Sequence, residues 1–464
     1  MVRTALVLLT LSLPAALTAL PVNAETRVPM SQAEISMGFA PVVKKATPAV
    51  VNIYAKRIVQ SRSPFADDPF FSEFFRNFGQ GRPQVQNSLG SGVLLSDDGI
   101  VVTNFHVVGR ADEIRIVLNN RAEYDADVLL ADEEADLAIL KLKGAHDMPH
   151  LTLRDSDDVE VGELVLAVGN PFGVGQTVSS GIVSGLARSG TATGNARGYF
   201  IQTDAPINPG NSGGALIDIN GDLIGVNTSI LSRSGGSNGI GFAIPSALVA
   251  QFVDQARDGK TDFERPWAGM TGQPVDAQMA QALGLDLPGG VLISELHDAS
   301  PFLDAGFQVG DVVMDVDGEP VNTPAEMLFR MTIAGLGHAT EVTRFRDGKP
   351  QNVTVDLIDA PEEPARNSVT LPERSVIPGL VLERINPAVM AELGLPLSSS
   401  GVVVADPGPM GPRAGLKAGD VLQSVNGASI ATTEEAQSAL ADPGRWLELV
   451  LLRGGQRMQL RFRL

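Results

Sequence analysis

Between Ala49 and Asn227 the apolar residues come in short runs broken by turn pairs, and the runs read as strands. Ala49 to Tyr54 is the first. Ser91-Gly92-Val93-Leu94-Leu95 passes through Asp97-Asp98-Gly99 into Ile100-Val101-Val102-Thr103, a hairpin with an Asp-Gly turn. Ala126 to Ala131, Leu137 to Leu142, Leu164 to Val168, Val178 to Leu186, Phe200 to Thr203, Gly214 to Ile219 and Leu223 to Asn227 continue the series, with Asn220-Gly221 as another hairpin turn. Strands this short and this regularly spaced predict an all-β barrel or sandwich domain. The texture then changes. Ala247 to Arg257 has the periodicity of an amphipathic helix, stopped by Asp258-Gly259-Lys260.

Beyond that helix the chain repeats itself at a period of about 110 residues. Ala305-Gly306-Phe307-Gln308-Val309-Gly310-Asp311-Val312-Val313 aligns without a gap to Ala414-Gly415-Leu416-Lys417-Ala418-Gly419-Asp420-Val421-Leu422. Each copy then sets a threonine three residues ahead of a glutamate, Thr323 to Glu326 and Thr432 to Glu435, which predicts a capped helix. Each repeat is therefore a module of strands with one capped helix. The stretch from Asp359 to Pro378, rich in proline and glutamate, reads as the linker between them.

Length and composition narrow the class. A chain of 464 residues implies about three domains. Its start carries Arg3, an apolar stretch from Ala5 to Leu20 broken by Pro14, and Val22-Asn23-Ala24, the layout of a secretory signal cleaved after Ala24. An anchoring helix would need about 20 unbroken apolar residues, which Pro14 interrupts. No later run is long enough to span, so no integral membrane span is expected after signal removal. The chain has no cysteine, which removes disulfides, thiolate catalysis and cysteine metal sites together and suits an oxidising periplasm. No cofactor and no metal are expected. A net charge of −19 without a dense basic run argues against nucleic acid or an anionic membrane as principal partner. Phe71, Phe74, Phe75 and Phe78 share one helical face inside a polar segment, either a local core or a docking surface for another subunit.

The candidate chemistry centres on Asn208-Pro209-Gly210-Asn211-Ser212-Gly213-Gly214-Ala215-Leu216, a serine among glycines that can sit on a tight turn beside bare backbone N–H groups. By itself the stretch could be an inert glycine-rich hairpin. Of five histidines, His106 is the one upstream of Ser212 beside a predicted strand end in an apolar setting, whereas His146 and His150 lie in a polar loop. Asp136 opens the Leu137 to Leu142 strand, and Asp132 competes with it for the role of acid. The order His, Asp, Ser within one β-rich domain is that of the chymotrypsin-type arrangement. Gly210-Asn211-Ser212-Gly213-Gly214 also fits the G-x-S-x-G elbow of α/β-hydrolases, but that fold places its acid and histidine after the serine, where only His297 and His338 occur, inside the repeats.

Thr103-Asn104-Phe105-His106-Val107-Val108, Ala135-Asp136-Leu137-Ala138-Ile139-Leu140, Gly169-Asn170-Pro171-Phe172-Gly173 and Thr203 to Gly214 together resemble the HtrA (Deg) serine proteases, and the likeness spans essentially the whole mature chain. Phe105 and Pro206 depart from residues common in that family. The resemblance implies a mainly β chain with α+β modules: signal peptide 1–24, a chymotrypsin-like double β-barrel protease domain over 25–260, PDZ domains over 261–360 and 379–464, and a linker over 361–378. It implies His106, Asp136 and Ser212 as catalytic residues. The oxyanion hole falls at Gly210, Asn211 and Ser212, with the donors on the backbones of Gly210 and Ser212. Ile207, Asn227 and Ile230 are implied around a substrate pocket; Pro206 stands where trypsin carries its acid, so small aliphatic P1 residues are expected. Asn211 replaces the aspartate that pairs with a new N-terminal ammonium in chymotrypsin-like zymogens, and an amide cannot make that ion pair. Trp267, Ala268, Gly269 and Met270 are implied as the carboxylate loop of the first PDZ domain, and Pro378 to Val381 as its counterpart in the second. The implied activity is ATP-independent hydrolysis of misfolded envelope proteins in the periplasm. The implied partners are unfolded proteins, their C-terminal peptides, and other copies of the chain in a homotrimer or larger assembly, with some chaperone behaviour. The alternative is a peptide-binding chaperone with a latent protease domain.

Overall fold

A computed structural model describes residues 38–59, 84–109, 111–170, 175–189, 199–208, 210–230, 239–441 and 444–463. The segment expected to be a signal and the phenylalanines Phe71, Phe74, Phe75 and Phe78 lie outside the described residues. Six strands, β1 (Val50–Val59), β2 (Gln84–Leu94), β3 (Ile100–Thr103), β4 (Glu113–Val117), β5 (Glu123–Asp132) and β6 (Leu137–Leu142), close a barrel in the order β1-β2-β3-β6-β5-β4. Six more, β7 (Leu164–Gly169), β8 (Thr177–Ser189), β9 (Tyr199–Thr203), β10 (Ala215–Ile217), β11 (Leu223–Ile230) and β12 (Gly241–Pro245), close a second barrel in the order β10-β11-β12-β9-β8-β7. Closure removes every sheet edge, which is how such short strands avoid exposing unpaired backbone. β4 and β12 escaped the sequence reading. β4 alternates buried and exposed residues over only five positions, and β12 follows a glycine- and serine-rich stretch that masks it.

The one-turn helix α1 (Phe105–Val108) follows β3, and α2 (Ser246–Arg257) follows β12 within a residue of its predicted start. Val249 and Phe252 on α2 are fully buried, and Phe252 stacks on Phe263 with ring centroids 3.8 Å apart. This face carries the chain from the barrels into the repeats.

The first repeat forms a sheet of β13 (Met270–Pro274), β14 (Val291–Leu296), β15 (Val312–Val316), β16 (Glu319–Pro320), β17 (Ala339–Arg346) and β18 (Lys349–Asp356), with α3 (Ala277–Leu283), α4 (Pro301–Asp304) and α5 (Pro324–Ala334). The second forms β19 (Val369–Thr370), β20 (Val381–Arg384), β21 (Val402–Asp406), β22 (Val421–Val425), β23 (Ala428–Ser429), β24 (Trp446–Arg453) and β25 (Gln456–Arg463), with α6 (Pro387–Leu393) and α7 (Thr433–Ala441). β19 lies within the stretch read as linker. Both threonine caps are made: Thr323 Oγ1 accepts from Glu326 N at 3.1 Å and Thr432 Oγ1 from Glu435 N at 3.2 Å; Glu435 closes the box on Thr432 N, whereas Glu326 reaches one residue further back, to Asn322 N. The repeated Gly-Asp pair has a reason the sequence reading did not supply. Asp311 is gripped by Arg346 from β17 at 2.5 Å, and Asp420 by Arg453 from β24 at 2.6 and 2.7 Å. Each arginine also donates to the carbonyl of the glycine that opens its motif, Gly306 or Gly415, so one buried carboxylate and one fork close each module.

Candidate active site

The residues singled out for catalysis meet at the seam between the barrels. His106 sits on α1 and Asp136 just ahead of β6, both on the first barrel, while Ser212 lies between β9 and β10 of the second. His106 Nδ1 stands 2.9 Å from both carboxylate oxygens of Asp136, and the His106 backbone N–H donates to Asp136 Oδ1 at 3.0 Å. Asp136 holds a left-handed backbone conformation, φ 54°, that aspartate tolerates better than most residues. Phe105 N and Asn104 Nδ2 both donate to its carbonyl, which keeps it there. Burial pushes the Asp136 carboxyl up, but the His106 charge and the hydrogen bonds from His106 and Thr228 outweigh it and hold the pKa below the usual value. Asp132, the competing acid, is engaged elsewhere: Arg265 takes it at 2.9 and 2.6 Å, and its Oδ1 caps Ala135 N.

Ser212 is nearly buried, 6% exposed, and its hydroxyl donates to the Thr228 carbonyl at 3.0 Å. The Thr228 hydroxyl in turn donates to Asp136 Oδ2 at 2.6 Å. One residue of β11 therefore ties Ser212 to Asp136. Ser91 ties the loop to the other barrel. Its backbone N–H donates to the Ser212 carbonyl at 2.9 Å, its hydroxyl donates to the Gly210 carbonyl at 2.6 Å, and the same hydroxyl accepts from Asn170 N at 2.8 Å. Thr103 Oγ1 holds the Ser91 carbonyl at 2.7 Å. Neither Ser91 nor Thr228 was found from the sequence, because each lies in an ordinary strand and acts on a residue far away in the chain.

The loop itself is tightly specified. Gly210 and Gly213 have φ 95° and 81°, and a Cβ on Gly213 would meet the Ser91 carbonyl at 2.1 Å. Gly213 N donates to Asn227 O, and Asn227 N to Gly214 O. The Asn227 amide group also donates to Ala215 O at 2.9 Å, so this fully buried residue supports the loop. Asn211 N is spent on Asn208 O at 3.0 Å, whereas the amides of Gly210 and Ser212 donate to no protein acceptor among the described residues. The Asn211 side chain is 1% exposed, and both its polar atoms lack a protein partner among the described residues. Ile207 packs in the second barrel's core against Gly241, the strand partner of Ile230.

Ala268, Gly269 and Met270 of the first repeat and Met327, Leu328 and Met331 of α5 line an open cavity of about 840 Å³, which Met390 to Leu395 in and after α6 of the second repeat line as well. Trp267 is largely buried, edge-on to His297, with its backbone N–H donating to the Ile358 carbonyl, which is packing. The two walls that the first repeat supplies rest on the barrels. Arg265, two residues before Trp267, grips Asp132 at the end of β5, four residues before Asp136; Phe329 of α5 stacks on Tyr199 at 3.9 Å, and Arg330 pairs with Asp157 at 2.6 Å.

Two barrels with this site, followed by two repeated modules, define a trypsin-like serine peptidase carrying PDZ domains. Residues 90–226 match the trypsin-like peptidase domain family, and residues 251–357 and 401–453 match PDZ domain families. A Halomonas elongata protein described as a probable periplasmic serine endoprotease, DegP-like, is 37% identical over 426 residues, covering 87% of this chain and 88% of its own length. The periplasmic pH-dependent serine endoprotease DegQ of Escherichia coli is 35% identical over 428 residues, covering 91% of each. The solved HtrA-type protease AlgW with a decapeptide is 37% identical, with TM-score 0.52, covering 70% of this chain and 99% of that one. The chain belongs to the DegP/DegQ-like family of HtrA serine endoproteases. It is a serine endopeptidase, and the latent-chaperone alternative is not favoured.

Proposed function

We propose that Ser212 is the nucleophile of this peptidase, His106 its general base and Asp136 the group that orients His106. Ser212 Oγ attacks the scissile carbonyl carbon while His106 accepts its proton. The carbon–nitrogen bond then breaks, and the imidazolium delivers that proton to the departing amine. Water hydrolyses the acyl-enzyme by the same route in reverse. Asp136 holds Nδ1–H, fixes the tautomer and stabilises the imidazolium. The oxyanion is received by the backbone N–H groups of Gly210 and Ser212. The observation that carries the reading is the chain of bonds from His106 through Asp136 and Thr228 to the Ser212 hydroxyl.

The substrates are unfolded or misfolded proteins of the periplasm, reached after removal of residues 1–24, and the first PDZ groove takes their C-terminal residues as an added strand. The relatives' periplasmic names and AlgW's bound peptide support this reading, and among the described residues no helix is long and apolar enough to cross a membrane. The working form is a homotrimer or larger assembly. Casein hydrolysis tests the proposal: wild type degrades it, and Ser212→Ala loses at least about a thousandfold in rate. Full activity in Ser212→Ala removes Ser212 from the mechanism.

A further inference from the structure

The two PDZ modules differ at the one edge where a peptide would add. In the first, β13 ends the sheet, and nothing in the sheet order lies beyond it. No strand of this chain fills the cavity beside β13 and α5, which α6 of the second module also lines, and the Gly269 amide donates to no protein acceptor among the described residues. In the second, the equivalent strand β20 has a partner on that side. β19 runs antiparallel to it, with Val369 opposite Leu382 and Thr370 opposite Val381.

The bonds at the end of β19 are those of a peptide terminus. Leu371 N donates to Leu380 O at 2.8 Å, and Gly379 N donates to the Leu371 carbonyl at 3.0 Å. Gly379, φ 74°, stands in the second module where Gly269, φ 59°, stands in the first, so its amide offers itself to an internal carbonyl in place of a free carboxylate. Leu371 is 2% exposed in a run of otherwise exposed and half-buried residues, packed in one cluster with Leu380 just ahead of β20, Leu382 on β20, and Ala436 and Leu440 of α7. The helix makes room for it. Ala436 N bonds Thr432 O as Met327 N bonds Thr323 O, so an alanine occupies the place that Met327 fills in the first module. After Leu371 the chain turns away through Pro372, whose carbonyl accepts from Ser375 N at 2.9 Å, and returns to Gly379.

We infer that the groove of the second PDZ domain is a peptide site occupied in cis by Val369-Thr370-Leu371 of the inter-module segment. Leu371 stands for the terminal residue of a ligand and Val369 for the residue two before it. The groove therefore selects leucine at the terminus and a β-branched residue two places earlier, and it takes an outside C-terminus only when the segment leaves. Client termini are received by the first module.

Hydrogen exchange on full-length Ser212→Ala protein, resolved to single amides, tests the occupancy. The Leu371 and Gly379 amides are expected to exchange more than about tenfold more slowly than those of Glu373 and Arg374 at the exposed tip. Equal rates overturn the proposal. Calorimetric titration with a peptide ending Val-Thr-Leu and a free carboxylate tests the ligand role. Leu371→Gly in the same background should gain one binding site per chain over its parent; a folded variant with no added site shows an ordinary hairpin strand and overturns it. If Leu371→Gly does not fold, Thr370→Cys with Val381→Cys decides. The chain has no cysteine of its own. The pair should oxidise to a disulfide and leave the site number at the parent's value. A folded protein that does not form the bond, or one that gains a site on oxidation, overturns the inference.

Discussion

Ser91→Ala removes the hydroxyl that joins the two barrels behind Ser212. Ser91 is fully buried, and its Oγ both donates to Gly210 O at 2.6 Å and accepts from Asn170 N at 2.8 Å. The substitution leaves that carbonyl and that N–H without their partner, at about 1–3 kcal/mol for each group that finds no replacement, so a loss of roughly 2–4 kcal/mol in folding stability is expected. Its effect on catalysis is more specific. The Gly210 carbonyl fixes the peptide immediately after one proposed oxyanion donor, and the Ser91 N–H to Ser212 O bond survives the change. Ser212 therefore stays in place while Gly210 loosens. Transition-state stabilisation weakens more than substrate binding, and kcat falls roughly 10- to 100-fold with KM changed far less. Steady-state kinetics on a chromogenic peptide, at a temperature where circular dichroism shows the variant folded, reads both constants. A folded Ser91→Ala protein with kcat within about threefold of wild type would refute the claim that this hydroxyl positions the oxyanion loop.

Other substitutions probe separate parts of the site. Asp136→Asn keeps the shape but loses the charge, so kcat should drop about ten-thousandfold in the same peptide assay. The Asp136 pKa is depressed in the fold; its stability contribution is full above the ordinary carboxylate range near pH 4 and is lost as pH falls through the lower folded value. The stability gap between wild type and Asp136→Asn, read by urea melts, should therefore narrow below about pH 4; a gap that widens there contradicts the assignment. Asp132→Ala and Arg265→Ala should each cost about 1–3 kcal/mol and be strongly non-additive in a double-mutant cycle. Because that pair joins the segment leading into the proposed carboxylate loop to the end of β5, four residues before Asp136, each should also change how far a C-terminal peptide alters kcat; unchanged peptide response in both variants argues against coupling along this route. In a series of peptides differing at P1, valine and alanine should be cleaved faster than arginine, and fastest cleavage after arginine would refute the uncharged pocket.

What was legible in the chain is what is local. Hairpin turns such as Asp98-Gly99, the amphipathic face of Ala247 to Arg257 and the two capping threonines depend on neighbours a few residues away, and all appear in the structure. The catalytic candidates were legible because each sits in its own short motif. The supports were not. Ser91 acts on Gly210, Thr228 on Asp136 and Arg265 on Asp132, across separations of 119, 92 and 133 residues, and no pattern of spacing carries such contacts. β19 was hidden for a different reason. Two strand residues inside a segment rich in proline and glutamate have no periodicity to detect, and only the partner strand makes them a strand.

The most direct test of the central claim is labelling with a fluorophosphonate, which reacts only with a serine activated by its base and seated beside an oxyanion hole. Mass spectrometry of the labelled wild-type protein should find the adduct on Ser212, with labelling abolished in Ser212→Ala and strongly reduced in His106→Ala. An adduct on another serine, or undiminished labelling of Ser212→Ala, contradicts the account.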